Sequence, residues 1–148
     1  MRLSRNLEQQ HEYDELHREG EFGFFSTFKD IFMAGLIIGI ELRVMISFKR
    51  GKNAEAFNES VFSNDDEILI NSILYNEFGE VEIGKDEIQK IENYAAGGVS
   101  YLFDTLIKNS GSNAIDQYIE LLYNFKDKES YEIFSDLSLT KKIHVDYF

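Results

Sequence analysis

Residues 26–57 read STFKDIFMAGLIIGIELRVMISFKRGKNAEAF, and the fold turns on how this stretch is read. Ser26 or Thr27 can N-cap a helix, with Asp30 close enough to favour the positive end of its dipole. Phe28, Ile31, Phe32, Gly35, Leu36 and Gly39 follow helical spacing, while Ile37, Ile38 and Ile40 fill the other sides. A helix that is apolar all round belongs at the centre of a domain. Gly35 and Gly39 lie four apart, so they share a face and invite close packing by another backbone. The uncharged apolar run from 31 to 40 is far shorter than the ~20 residues a spanning helix needs, so a core helix is expected and no membrane anchor.

The same stretch then turns basic. Arg43, Lys49, Arg50 and Lys52 form the dense cationic cluster of a chain whose net charge is −12. Such a charge disfavours unaided binding to polyanions over most of the surface and suits docking onto a basic partner. The local cluster, with Ser47, Gly51 and Asn53 as neutral donors, is the candidate contact for phosphates or for a partner protein. The bland reading is that these cations balance nearby carboxylates or cap the C-terminal end of the preceding helix.

Outward from that segment, the pattern is helical almost everywhere. Residues 3–18 are highly charged with a sparse apolar set, Leu3, Leu7, Tyr13 and Leu16, which reads as a peripheral helix within residues 1–20. Phe57 to Phe62 reads as a short connector. Asn64, with Glu67 in the capping-box position, is expected to start a helix whose apolar face is Ile68, Leu69, Ser72, Ile73 and Phe78, widened by Leu74 and Tyr75. Gly79 ends it. Residues 81–84 are too few for a sheet. The spacing of Ile88, Ile91, Tyr94, Ala95, Gly98, Leu102 and Leu106 predicts a further helix from about 86 to 106. Gly97 and Gly98 inside it cost roughly 1 kcal/mol each against Ala, which either a kink or a close helix crossing would explain. After a loop at 109–112, Ile115, Tyr118, Ile119, Leu122 and Phe125 mark another helix, and 127–148 is a tail or short helix.

The expectation is therefore an all-α, compact single domain of four to five helices over residues 1–148, with its core in 26–126 and at most minor strand content. A length of 148 residues, with 13 Phe and 8 Tyr, is enough for a sizeable core. The chain has no cysteine, which excludes disulfides, thiol nucleophiles and thiolate zinc sites and points to the cytoplasm. MRLSRNLEQQHEYDE lacks the apolar region of a secretory signal, so none is expected.

No catalytic constellation emerges. There is no Gly-x-Ser-x-Gly elbow, no phosphate-binding loop and no dinucleotide fingerprint. His11 and Glu15 stand four apart on a helix, but two ligands fall short of the three or four a zinc site uses. Asp65, Asp66 and Glu67 have a sufficient account as first-turn carboxylates. Neither an enzyme nor a cofactor nor a metal is expected. A pocket gathering Asn71, Glu92 and Tyr94 would revive an enzymatic reading.

Several blocks nevertheless resemble a known family. They are Phe-x-x-hydroxyl-x-x-Asp before the apolar helix, Val61-Phe62-x-Asn64-Asp65, Leu69-Ile70-Asn71-x-Ile73, Glu77-Phe78-Gly79-Glu80 and Ile91-Glu92-x-Tyr94-Ala95-x-Gly97-Gly98-x-x-x-Leu102. Together they resemble the small family associated with bacterial DNA phosphorothioation (Dnd) systems, Dnd-system-associated protein four. The resemblance spans about 25 to 106, and the tail falls outside it. It implies a cytoplasmic, non-enzymatic accessory protein of a modification, restriction and anti-phage defence cluster, with other proteins of that cluster as partners. It supplies no catalytic residues. DNA contact through Arg43, Lys49, Arg50 and Lys52 is one expectation for the basic segment. The alternative is an acidic DNA mimic or self-assembling regulator, a homo-oligomer included, that blocks a nucleic-acid-binding partner.

Overall fold

A computed structural model describes residues 2–17, 24–79 and 84–108 of the chain. In chain order it runs β1 (Ser4–Asn6), α1 (Gln10–Leu16), α2 (Phe28–Leu42), β2 (Ala54–Ala56), α3 (Asn64–Phe78) and α4 (Lys85–Phe103). Helix dominates, and the one small sheet among the described residues pairs β1 with β2 antiparallel, Arg5 facing Glu55. The mainly helical architecture is as expected. The helix and tail expected after 108 lie outside the described residues.

α2 is the axis of the domain, as an all-round apolar helix should be. Every residue from Ile31 to Gly39 is buried. Thr27 caps it by accepting the Asp30 N–H at 3.1 Å, one of the two caps foreseen. At the other end Arg43 takes the left-handed conformation with φ 56°, which lets its N–H reach the Gly39 carbonyl and turns the chain out of the helix.

α4 crosses α2 through glycine. A methyl group placed on Gly98 would land on the Gly35 carbonyl, and one on Gly39 would land on the Tyr94 carbonyl. One on Gly35 would come within 2.7 Å of the Ala95 carbonyl. Backbone therefore touches backbone along the seam. α4 stays a continuous α-helix through Gly97 and Gly98, so close crossing, not a kink, accounts for them. It then widens into a π-helical turn, Asp104–Lys108, that buries Leu106.

Three readings of the sequence need correction. The first concerns the N-terminal segment, expected as a peripheral helix. Its later part is helical, as α1, but its first residues form β1, and Leu3, Ser4, Arg5, Asn6, Gln9, Tyr13 and Leu16 are all buried. The strand's partner lies some fifty residues away, and the pairing continues through hydrogen bonds from Phe57 N–H to the Leu3 carbonyl and from Leu7 N–H to the Asn53 carbonyl, both 2.9 Å. Local periodicity cannot report such a partner. Arg5 is tolerated in the interior because its guanidinium lies 5.1 Å from the Tyr13 ring centre and 4.9 Å from that of Phe28.

The second correction is the cap of α3, which is Ser63 and not Asn64. Ser63 Oγ accepts from Asp66 N–H at 3.1 Å and the Asp66 carboxylate accepts from Ser63 N–H at 2.9 Å. Asp66 also takes an ion pair from Lys29 at 2.8 Å, so it ties α3 to α2. The third is the phase of α3. Ile70, Ile73 and Leu74 face the core, while Ile68 and Tyr75 stand 64% and 62% exposed. The apolar residues of this helix encircle it, so spacing alone does not choose a face. As expected, Gly79 closes α3 with φ 67°. Phe32, Phe57 and Phe62 form an edge-to-face triad that seals the connector between β2 and α3.

Candidate docking ledge

The basic segment leaves α2 at Arg43 and reaches β2 at Ala54. Between them, residues 44–49 run without turn or bend alongside α4, and a tight turn at 50–53 returns the chain to β2. The run is fastened at three successive levels of α4. The Val44 carbonyl lies directly over Gly97, where any side chain would collide with it. Ile46 N–H donates to the Asn93 carbonyl at 3.0 Å. Gln89 Nε2 donates to the Phe48 carbonyl at 3.2 Å and to Asn93 Oδ1 at 2.9 Å.

The four cations divide into two kinds. Arg50 is part of the scaffold: Nε and Nη2 donate to the two carboxylate oxygens of Glu92 at 2.8 and 2.6 Å, and Nη2 also reaches the Arg2 carbonyl at 2.9 Å. The Glu92 side chain is fully buried and accepts in addition from Ser4 N–H at 2.6 Å. One carboxylate thus binds β1, α4 and the basic turn together. The bidentate bond to Glu92 holds the Arg50 pKa above its ordinary value. Arg43 donates to Glu77 at the end of α3 at 2.5 Å and lies 3.4 Å from the Tyr94 hydroxyl. The Glu77 hydrogen bond is the main reason that its pKa too is raised.

Lys49 and Lys52 are exposed and enter no ion pair among the described residues. Their neighbours on the same ledge are apolar: Leu42, Met45 and Ile46 are 45%, 51% and 36% exposed. Charge counting could find the cluster but could not divide it, because Glu77 and Glu92 come from distant helices. Gln89, Asn93 and Gly97 were missed as ledge supports. Their spacing of four marks one stripe of α4, but nothing in the sequence says what lies on it.

The other candidates do not converge. Tyr94 accompanies Arg43 and Glu92 binds Arg50, whereas Asn71 lines a shallow pocket with Leu3, Glu59, Phe62, Glu67 and Ile70. Among the described residues no three His, Asp or Glu side chains group as a metal site, and the His11 ring instead meets Phe103 edge-on at 5.5 Å. No described helix is long and apolar enough to cross a membrane.

The geometry defines a class: a mainly helical domain with a small two-stranded sheet, carrying a ledge fastened to α4 that mixes apolar and cationic groups. A family model described as DNA sulphur modification system-associated protein 4 matches residues 2–140, and the chain belongs to that family. The match runs well past Leu106, so most of the segment expected to fall outside the resemblance lies within it. No curated protein and no solved structure matches the chain.

Proposed function

We propose that this protein is a non-enzymatic accessory factor of a DNA sulphur-modification system, acting in the cytoplasm by docking on another protein of that system. The ledge at 45–52 is its contact. One observation carries this reading: Arg43 and Arg50 are consumed in holding the ledge, which leaves Met45, Ile46, Lys49 and Lys52 turned to solvent on a fixed frame. A fixed frame lowers the ordering cost of association, and mixed apolar and cationic groups suit a protein surface.

Direct DNA binding is the weaker reading of the same residues. Two unpaired lysines neutralise about two phosphates, a small contribution against a body of charge −12. The test is a pair of titrations, one against duplex DNA and one against each of the other proteins of the cluster, with the Met45→Asp and Lys49→Glu/Lys52→Glu variants alongside. Partner binding lost in these variants, with no DNA binding near physiological salt, is the expected result. Salt-sensitive DNA binding that the lysine changes abolish would replace the reading with DNA contact. Competition with DNA for a partner that survives the ledge changes would favour the DNA mimic instead.

A further inference from the structure

A strand-like run of backbone has two edges, and consecutive residues point their N–H and C=O groups to opposite ones. In the ledge the backbone groups that bond α4 belong to even-numbered residues. The Val44 carbonyl rests on Gly97, Ile46 N–H bonds the Asn93 carbonyl and the Phe48 carbonyl accepts from Gln89. The periods agree, since two extended residues advance about 6.6 Å and four helical residues about 6 Å. The Met45 C=O and the Lys49 N–H, each trans across its peptide to a bonded group, and both backbone groups of Ser47 between them therefore point away from α4, and none of these has a hydrogen-bond partner among the described residues. All three residues are exposed.

We propose that the outer edge formed by Met45, Ser47 and Lys49 takes an extended segment of a partner protein as an added β-strand. This rests on the docking reading above and names its mode. Main-chain hydrogen bonds supply the affinity of strand addition, and alternate side chains supply the choice of partner. Met45, Ser47 and Lys49 present one apolar, one small polar and one cationic group in order, two residues apart. The matching segment carries an apolar residue opposite Met45 and a carboxylate opposite Lys49, with a second carboxylate within reach of Lys52. A second copy of this chain does not fit. Antiparallel self-pairing about Ser47 sets Lys49 against Met45 with no acid, and joins two bodies of net charge −12.

Ser47→Pro isolates the idea, because it deletes one outward N–H and no hydrogen bond among the described residues. Ser47→Ala is its control. The probes are overlapping peptides tiling the other proteins of the sulphur-modification cluster, read by fluorescence anisotropy, and those same proteins intact. The expected result is a peptide with an apolar residue and an acid four positions apart. Its binding should weaken roughly tenfold in Ser47→Pro, hold in Ser47→Ala and weaken in Lys49→Glu. On the unsubstituted protein the Ser47 and Lys49 amides should exchange fast when free and slowly when bound, which decides the matter even where Ser47→Pro perturbs folding. Partner binding that ignores Ser47→Pro yet falls in Lys49→Glu/Lys52→Glu overturns strand addition and leaves the docking reading standing. Binding that ignores all of these changes overturns both. Unchanged amide exchange in a partner complex overturns strand addition, and a dimer abolished by Ser47→Pro overturns the choice of occupant.

Discussion

α4 serves two regions that are built in contrary ways. Along its seam with α2, glycines bring backbone against backbone and leave no room for a single methyl group. Along its stripe of Gln89, Asn93 and Gly97, it carries a ledge whose inner edge is bonded and whose outer edge has no partner among the described residues. The seam resists any change, whereas the ledge is held as firmly but keeps its outer groups unspent. The difference teaches how one helix can anchor a fold and still offer a surface: close packing fixes the frame, and the frame spares the exposed backbone from needing internal partners.

The seam should break first and most severely. Gly98→Ala gains about 1 kcal/mol of helix propensity. It also drives a methyl group into the Gly35 carbonyl, and overpacking of this kind costs about 3 kcal/mol or more. The net expectation is a large loss in urea-unfolding stability or failure to fold. A neutral Gly98→Ala would show that the helices can part freely, and the contrast between the regions would dissolve.

Next in size is Arg50→Ala, which leaves the buried Glu92 carboxylate without its cation and should cost about 3 kcal/mol. Arg43→Ala, by comparison, removes a pair in which the arginine is 62% exposed. It should cost under about 1 kcal/mol. Denaturant midpoints of the two variants check the order, and equal losses would contradict the contrast between a pair on a fully buried carboxylate and an exposed one.

Alkali should loosen the same frame. Burial by itself lowers the Lys29 pKa, but hydrogen bonds from its ammonium to Asp66 and Asp30 outweigh it and raise the value. Burial raises the Tyr13 hydroxyl far above the ordinary tyrosine range. In both cases the folded chain holds its proton more tightly than the unfolded chain. The stability is therefore complete below about pH 10 and falls as the pH climbs toward the folded values. Helical circular dichroism followed with tyrosinate absorbance should show some tyrosine ionising only as the helices melt. Full ionisation ahead of melting would remove Tyr13 from the frame.

The smallest effect on stability belongs to Lys49→Ala/Lys52→Ala, within about 0.5 kcal/mol, as for other open surface changes. A larger loss in thermal unfolding would mean that these lysines support the frame like Arg50.

Much of this was legible in residues 26–57. The helix is apolar on every side, its two cap candidates and its glycine pair are explicit, and the central place of α2 and the close approach of some other backbone follow from them; that α4 makes this approach, by a crossing and not a kink, does not. The basic cluster was legible as a cluster. Its division was not, because whether a cation is free depends on carboxylates that folding brings from α3 and α4. β1 was hidden for the same reason: a three-residue strand has no periodicity of its own and exists only through β2. α3 hid its phase because apolar residues surround it.

By itself, then, the sequence determined a mainly helical domain with an apolar central rod, glycine pairs that invite close packing and a local excess of cations. Periodicity, capping and side-chain size are properties of neighbouring residues, so they can be read in one dimension. Only the tertiary structure decided that Glu92 would claim Arg50, that Glu77 would claim Arg43 and that one edge of the ledge would remain unbonded among the described residues. Electrostatic pairing and hydrogen-bond satisfaction depend on distances between segments far apart in the chain, and those distances exist only once the helices have packed.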